Sequence, residues 1–261
     1  MLAVFNKSVA KSPVELQQSP QNGAVSALKD GFLATHFSST HSASFVINLA
    51  SSGFFAYSSS QKLLCQMVGW IFPKMGIKIL FAVVDDMFCL FEGHIKNIAV
   101  LKQQYGLNKT ANEVSIVIEA YRTLRDRGPY PAEQVVRGIA GRFAFVLFDA
   151  TSQSTFIASD VDGSVPFFWG TDAEGHLVVS TNTEIVKQGC GKSSSPFPKG
   201  CFFTSSGGLR SYEHLNELKA VPRVDSSGEV CGMTFKVDEG TRKGKPAMPR
   251  VGSDANWSQH Y

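Results

Sequence analysis

The middle of the chain alternates between apolar and polar positions in short stretches, which is the pattern of an antiparallel sheet. Four stretches, separated by turn residues, cover 143–148, 155–159, 166–169 and 176–180. Two earlier pairs have the same character, 44–49 with 54–57 and 80–84 with 87–91. Further strands are predicted at 200–204 and 230–237. This spacing predicts a strand-rich protein whose sheets pack through phenylalanines.

Helical spacing of apolar residues predicts helices over 25–37, 98–105 and 111–127, and a proline opens a further short helix over 131–137. Thr110 and Glu113 stand three residues apart at the start of the third helix. This is the spacing of a capping box, so Glu113 is expected to cap that helix. Gly106 is expected to end the second helix.

Composition and charge narrow the class of protein. The 261 residues are 43% hydrophobic, which is enough for one large domain or two small ones. The net charge of +3 is spread along the chain without a basic stripe, so no nucleic-acid partner is expected. From residue 238 onward the chain is polar, which predicts a flexible tail over 238–261.

One apolar segment, 63–84, is long enough to cross a bilayer. Lys74 and Lys78 lie inside it, and a lysine near the centre of a span costs about 2.5–3.5 kcal/mol. Pro73 and Gly76 interrupt it further. A buried or partly exposed segment of the protein is therefore favoured, and membrane association through 63–84 is the alternative.

The cysteines and the first residues indicate an intracellular protein. Five cysteines without paired short spacings argue against a disulfide framework and against a zinc site. The residues before Pro13 lack the apolar stretch of a signal peptide. We expect reduced, mostly buried thiols, no metal or cofactor, and a cytoplasmic location, with the nucleus as a second location left open.

Three short motifs have simpler explanations than ligand binding. Gly191-Lys192-Ser193 resembles the end of a phosphate-binding loop, but Val186 stands where the first glycine is required. The segment 160–163, Asp-Val-Asp-Gly, lacks the spacing of a calcium loop and predicts a β-turn. Isolated histidines are expected to have structural roles, namely His94, His176 and His214.

Four longer motifs occur between residues 92 and 200. They are Glu-Gly-His-Ile-Lys-Asn at 92–97, Gly-Arg-Phe-Ala-Phe-Val-Leu-Phe-Asp at 141–149, Asp-Val-Asp-Gly-Ser-Val-Pro-Phe-Phe-Trp at 160–169, and Phe-Pro-Lys-Gly at 197–200. Together they resemble the glutaminase domain of class II amidotransferases such as asparagine synthetase. The resemblance implies an α+β fold, an N-terminal-nucleophile hydrolase-like four-layer αββα sandwich with two antiparallel sheets.

The sequence resembles one plant group more closely, the stem-specific or aluminium-induced proteins with YGL and LRDR motifs. Both motifs are present, as Tyr105-Gly106-Leu107 and Leu124-Arg125-Asp126-Arg127. The resemblance implies an amidotransferase-like domain over 1–237 and a role in plant stress or hormone responses, such as those to aluminium and auxin. It does not extend over 62–79, which is an atypical insertion or an altered gene model.

The same resemblance implies that glutamine chemistry is absent. In active members a cysteine follows Met1, and once Met1 is removed the thiol attacks glutamine while the new α-amine acts as base. Leu2 has no nucleophilic atom here, and its bulk is expected to keep Met1 in place. Glu92 stands where an asparagine would donate to the oxyanion, and an ionised carboxylate only accepts. We therefore predict a pseudoenzyme.

A reduced pocket is expected to remain near the residues that match the family's site, which are Leu2, Glu92, Gly93, Asn97 and Glu113. Its ligand would be a small molecule that the sequence does not identify, and self-association into a homodimer is a second open mode of action. The alternative function is a hydrolase or amidotransferase with non-standard catalytic residues, in which Glu92, His94 or Asp162 acts as acid or base.

Overall fold

The computed structural model describes residues 1–13, 16, 29–38, 44–58, 79–127, 132–212, 216–224, 226–228 and 230–242. The segment predicted as an atypical insertion, 62–79, lies outside these residues except for its last one. His214, the first four residues of the helix predicted over 25–37 and the tail beyond Arg242 also lie outside them.

One sheet has six antiparallel strands and contains the first residues of the chain. In spatial order the strands are β10 (Ser194–Pro196), β8 (Phe168–Thr171), β9 (Leu177–Ser180), β1 (Leu2–Phe5), β3 (Gly53–Ser58) and β2 (Ser44–Asn48). Strand β1 is central, because it pairs with β3 on one side and with β9 on the other.

The second sheet also has six antiparallel strands. In spatial order they are β12 (Gly208–Ser211), β11 (Cys201–Thr204), β7 (Ser154–Ser159), β6 (Gly141–Asp149), β5 (Met87–Ile95) and β4 (Ile79–Val84). A separate antiparallel ribbon consists of β13 (Asn216–Val224) and β14 (Val230–Arg242). Strand β6 is almost continuously apolar and buried from 143 to 149, because both of its faces are covered.

Five α-helices are found in the described ranges. They are α1 (Lys29–Ser38), α2 (Ile98–Gln104), α3 (Glu113–Arg127), α4 (Ala132–Arg137) and α5 (Thr183–Cys190). Helix α3 packs on β4 and β5, whereas α5 packs on β8, β9 and α1. Within the described ranges, no helix has both the length and the hydropathy needed to span a membrane.

Three apolar clusters define four layers. The inter-sheet cluster lies between the two sheets and includes Phe5, Phe148 and Trp169. A second-sheet outer cluster lies under α2, α3 and α4 and includes Val117. A first-sheet outer cluster lies under α1 and α5 and includes Leu2. The order helix, sheet, sheet, helix confirms the predicted αββα sandwich.

The hairpins predicted from local turn signals are confirmed. Strands β2 and β3 pair antiparallel, as do β4 and β5. Asp85 and Asp86 connect the second pair with φ of 46° and 61°. Positive φ at both central residues matches the twist of a two-residue hairpin, and aspartate tolerates this conformation better than most residues.

The predicted capping box at α3 is wrong. Asn112 caps the helix instead, because its Oδ1 accepts a hydrogen bond from Ser115 N at 3.1 Å. Thr110 Oγ1 donates to Asn108 Oδ1 at 2.8 Å and thereby stays in the preceding turn. The carboxylate of Glu113 is consequently available for a contact with another element.

The sequence patterns do not predict β1, β10, β12, β13 or α5. The tail boundary predicted at 238 needs correction as well, because β14 continues to Arg242, which pairs with Asn216 of β13. The polar composition of 238–242 is compatible with a two-stranded ribbon, since a ribbon need not bury both faces.

Candidate functional site

The register of β1 places the α-amino group of Met1 beside Glu92. Leu2 pairs with Ser180 of β9, so the residue before it lies next to Thr181. The carbonyl oxygen of Met1 accepts hydrogen bonds from Thr181 N at 3.1 Å and from Ser180 Oγ at 2.9 Å. The amino group donates to Thr181 Oγ1 at 2.7 Å and lies 3.6 Å from Glu92 Oε2.

This amine and carboxylate form a largely desolvated ion pair between the sheets. The exposed fraction of the side chain is 1% for Met1 and 12% for Glu92. Burial lowers the pKa of the Met1 amino group, and the negative charge of Glu92 opposes that shift. Glu92 Oε2 is buried and makes no hydrogen bond within the described chain, so the amine is the group that compensates its charge.

The side chain of Leu2 lies on the other face of β1. Successive residues of a strand point to opposite faces. Met1, Ala3 and Phe5 belong to the inter-sheet cluster, whereas Leu2 and Val4 belong to the first-sheet outer cluster. The expected pocket is therefore not shared by Leu2 and Glu92, because strand alternation directs the Leu2 side chain towards α1 and α5.

Gly93 is explained by the pairing of β5 with β6. It lies opposite Phe143 and has a φ of 133°, a conformation that side chains other than glycine rarely adopt. A Cβ at this position would overlap the backbone carbonyl oxygen of Arg142. The glycine therefore has a structural cause that is independent of any oxyanion.

Glu113 meets His94 at the start of α3. Its Oε1 lies 3.1 Å from His94 Nδ1, and the exposed side-chain fractions are 16% and 51% respectively. A carboxylate that orients an imidazole is an arrangement suited to proton transfer. Within the described chain, no hydrogen bond or ion pair is found between Glu92 and Glu113.

Asn97 connects the start of α2 to the loop before β6. Its Nδ2 donates to Gly138 O at 2.8 Å, and its Oδ1 accepts from Ala140 N at 2.9 Å. The amide thus donates to one backbone group and accepts from another, and these two bonds hold the loop before β6 in place.

The predicted β-turn at 160–163 is confirmed by a hydrogen bond from Gly163 N to Asp160 O at 3.2 Å. The buried carboxylate of Asp160 accepts from the backbone nitrogens of Phe143, Asp162 and Ser164. It therefore fixes the turn against β6. Asp162 is exposed at the tip of the turn.

The YGL motif ends α2. Gly106 has a φ of 65°, its N–H donates to Gln103 O at 3.3 Å, and Leu107 N donates to Lys102 O at 2.8 Å. These two bonds are the pair that closes a helix in a Schellman motif. Tyr105 and Leu107 then pack against the second-sheet outer cluster, and burial raises the pKa of Tyr105.

The LRDR motif anchors α3 on a buried carboxylate. Arg125 Nη1 donates to Asp149 Oδ2 at 3.2 Å, and its Nε donates to Asp126 Oδ1 at 2.8 Å. Leu124 packs against the second-sheet outer cluster. The side chain of Arg127 lies outside the described residues. The motif therefore joins the helix surface to the end of β6, where Asp149 is fully buried.

The described cysteines are poor nucleophiles. Cys89, Cys190 and Cys201 are free thiols and buried, while Cys65 and the side chain of Cys231 lie outside the described residues. Burial raises the pKa of all three described thiols, that of Cys201 to about 12. In the described part of the chain, no group of three or more His, Cys, Asp or Glu residues is placed to hold a metal ion.

Two cavities have volumes of about 280 and 500 Å³. The smaller lies on the outer face of the first sheet, and its rim carries His176, whose Nδ1 lies 2.8 Å from Asp172 Oδ2. The larger lies on the outer face of the second sheet and is lined in part by the LRDR motif. Neither of these two cavities is lined by Met1 or Glu92.

Sequence reasoning missed Thr181 and Ser180, which hold the main chain and the amino group of Met1. Strand β9 was predicted to end at 180, but nothing in that local pattern indicates a partner some 180 positions away. The contact follows only from the antiparallel pairing of β1 with β9.

A family model described as "Aluminium induced protein" matches residues 2–237 of the chain. Among curated proteins, Stem-specific protein TSJT1 of Nicotiana tabacum is 36% identical over 160 residues, which cover 60% of this chain and 99% of that protein.

Asparagine synthetases also match. Asparagine synthetase B [glutamine-hydrolyzing] of Escherichia coli (strain K12) is 28% identical over 126 residues, covering 47% of this chain and 21% of the enzyme. Asparagine synthetase [glutamine-hydrolyzing] 2 of Oryza sativa subsp. japonica is 27% identical over 148 residues, covering 24% of its length. This chain thus spans about a quarter or less of these enzymes. A solved glutamine phosphoribosylpyrophosphate amidotransferase from B. subtilis aligns with a TM-score of 0.39 at 16% identity, over 51% of this chain and 30% of its own.

Proposed function

Since this chain belongs to the aluminium induced protein family, we propose that it is a glutamine amidotransferase-like protein that lacks glutaminase activity and acts by binding or regulation. The observation that carries the proposal is the ion pair between the buried Met1 amino group and Glu92. In the resembling amidotransferases these regions supply a base and an oxyanion donor. Here the two groups stabilise each other.

The charge at position 92 opposes the chemistry of glutamine hydrolysis. Attack on an amide places negative charge on its oxygen, and donors aimed at that oxygen typically contribute about 2.7–4 kcal/mol each. The carboxylate of Glu92 accepts hydrogen bonds and carries a charge of the wrong sign. The carboxylate of Glu92 can lie between the sheets because the amino group of Met1 is 3.6 Å away.

A nucleophile is the second missing part. Leu2 is fully buried among apolar side chains of the first-sheet outer cluster. Cys89, Cys190 and Cys201 are buried thiols with raised pKa values, so little thiolate forms at neutral pH. These contacts support the proposal that the protein has the αββα sandwich without the glutaminase reaction.

The biological setting belongs to the same proposal. The name of the matched family and the stem-specific tobacco relative support a role in plant responses to aluminium stress or to hormones such as auxin. We place this role in the cytoplasm, with the nucleus as a second compartment. Imaging of a fluorescently labelled chain before and after aluminium treatment tests both statements.

We expect the purified chain to release no ammonia from glutamine above a protein-free blank. Ammonia is measured by coupling to glutamate dehydrogenase, with Escherichia coli asparagine synthetase B as the active control. Intact mass is expected to show Met1 still present. Ammonia release that increases in proportion to protein concentration would overturn the proposal.

The variant Leu2→Cys tests the missing nucleophile separately from the missing oxyanion donor. It is expected to remain at the blank, because strand alternation directs a side chain at position 2 away from Glu92 and because Glu92 still stands where a donor is needed. Activity in Leu2→Cys alone would show that the nucleophile is the sole deficit and that the argument from Glu92 is wrong. The double variant Leu2→Cys/Glu92→Asn then measures what the donor adds.

The alternative is a hydrolase or amidotransferase with non-standard catalytic residues, and one contact favours it. The Met1 amine lies 2.7 Å from Thr181 Oγ1, and an N-terminal amine next to a threonine hydroxyl is a known base and nucleophile pair. Thr181→Val should then abolish turnover of amide or ester substrates found by screening. We expect no such turnover, since the exposed fraction of Met1 is 1%.

A further inference from the structure

The cavity of about 500 Å³ lies on the outer face of the second sheet, between that sheet and helices α3 and α4. It shares no residue with the Met1 and Glu92 pair. Its volume falls within the range of about 300–1,000 Å³ that is usual for small-molecule sites. Nothing in the proposed function explains it.

Two guanidinium groups face this cavity with unused donors. Arg210 is exposed on β12 and pairs with Phe202 of β11, so both residues lie on the cavity side of the sheet. Its Nε donates to Gly207 O at 3.2 Å, which is its sole hydrogen bond to a described residue. Both terminal nitrogens of Arg210 therefore remain available.

Arg125 of the LRDR motif is the second cation. Its Nε and Nη1 are held by Asp126 and Asp149, so the guanidinium is fixed in position. Its Nη2 makes no hydrogen bond within the described chain. Each edge of this guanidinium has one donor bound to a carboxylate, so Nη2 is left to give an anion a single hydrogen bond from a fixed position.

Hydroxyl groups surround the two cations. Thr204 Oγ1 accepts a hydrogen bond from Gly207 N at 2.9 Å, so its hydrogen is free to be donated. Ser206 lines the same cavity, as does Ser154, whose Oγ already donates to Ser152 O at 3.3 Å. Guanidinium and hydroxyl donors that converge from several directions suit the tetrahedral phosphate group, which has more acceptor oxygens than the planar carboxylate.

The remaining wall fits an organic part. Leu124, Phe202 and Tyr121 supply apolar surface, and the carboxylate of Glu133 on α4 can accept a hydrogen bond from a ligand hydroxyl. The cavity is larger than a phosphate ion requires. We infer that it binds a small, hydroxyl-bearing phosphate monoester of the sugar phosphate kind, and that the first arginine of the LRDR motif helps to seat the phosphate.

Calorimetric titration of the full chain with glucose 6-phosphate tests the inference. We expect saturable binding at one site, competition by inorganic phosphate, and no binding of glucose. Arg210→Gln should raise the dissociation constant about tenfold, because a charge-assisted hydrogen bond is lost. Arg122→Gln is the matched control, since Arg122 lies on the same helix as Arg125 but pairs with Glu119 and Asp85.

The control variant is expected to bind like the unmodified chain, and binding should weaken as salt is raised. Lack of saturable binding by glucose 6-phosphate overturns the inference. So do equal dissociation constants in Arg210→Gln and Arg122→Gln. Competition by acetate as strong as that by phosphate would also contradict it, because the site would then select carboxylates. Urea unfolding of both variants confirms that Arg210→Gln is folded.

Discussion

Replacing Gly93 with alanine is expected to lower the free energy of unfolding by about 3 kcal/mol. Two costs combine at this position. The φ of 133° is strained for any residue with a side chain, and the new Cβ would overlap the carbonyl oxygen of Arg142 on the paired strand. To remove the overlap, β5 and β6 would have to separate. These strands carry residues of the inter-sheet cluster and of the second-sheet outer cluster.

Gly106 provides the control for this experiment. It also has a positive φ, of 65°, but a Cβ there would meet no atom within 4 Å. Gly106→Ala is therefore expected to cost about 1 kcal/mol, from backbone strain alone. Urea unfolding followed by circular dichroism gives both values. If Gly93→Ala costs no more than Gly106→Ala, the steric argument is wrong.

Asp149→Asn is expected to lower the free energy of unfolding at pH 7 by about 2 kcal/mol. The fully buried carboxylate accepts hydrogen bonds from Arg125, Tyr121 and the backbone at Thr151. An amide of the same shape removes the charge that compensates Arg125. The cost is below that of a fully buried pair, because 30% of the Arg125 side chain is exposed.

Asp126→Asn isolates the effect of burial. Asp126 contacts the same guanidinium but is exposed, so water can solvate the guanidinium when this carboxylate is removed. We expect no measurable change in the free energy of unfolding. A loss equal to that of Asp149→Asn would mean that Arg125, rather than the buried carboxylate, is the element that matters.

The difference in stability between the unmodified chain and Asp149→Asn depends on pH. Burial by itself would raise the pKa of Asp149, but hydrogen bonds from Ser152, Arg125 and Thr151 outweigh it and hold the pKa below its ordinary value. The carboxylate therefore stabilises the fold above about pH 4, and this contribution is lost as pH falls through the lowered pKa. The unmodified chain and Asp149→Asn should therefore differ in free energy of unfolding at pH 7 and differ less at pH 3, as measured by urea unfolding.

The sequence predicts those parts of the fold whose signals are local. The Asp85-Asp86 turn and the alternation on either side of it suffice to predict the hairpin of β4 and β5. Helix α5 escapes prediction because it has only eight residues and contains Gly189. A Cβ at Gly189 would overlap the ring of Phe32, so that glycine reflects packing against α1.

The candidate site is less predictable than the fold, because its contacts join distant parts of the chain. Resemblance to amidotransferases selected Glu92, yet its partner amine is positioned by pairing of β1 with β9. Thr110 and Glu113 were assigned to a capping box by spacing, but Asn112 takes the N-cap role predicted for Thr110. Local spacing cannot rank Thr110 against Asn112 as caps, and it does not reveal that Glu113 contacts His94, which lies 19 positions earlier.

The strand pairing that requires Gly93 bears on how other sequences of this family should be sorted. A glycine at this position is demanded by the backbone of β5 and β6, so its presence in a relative carries no information about catalysis. Positions 2 and 92 are not constrained in that way. A search for relatives that hydrolyse glutamine should therefore select sequences with cysteine at position 2 and asparagine at position 92, and disregard the glycine at position 93.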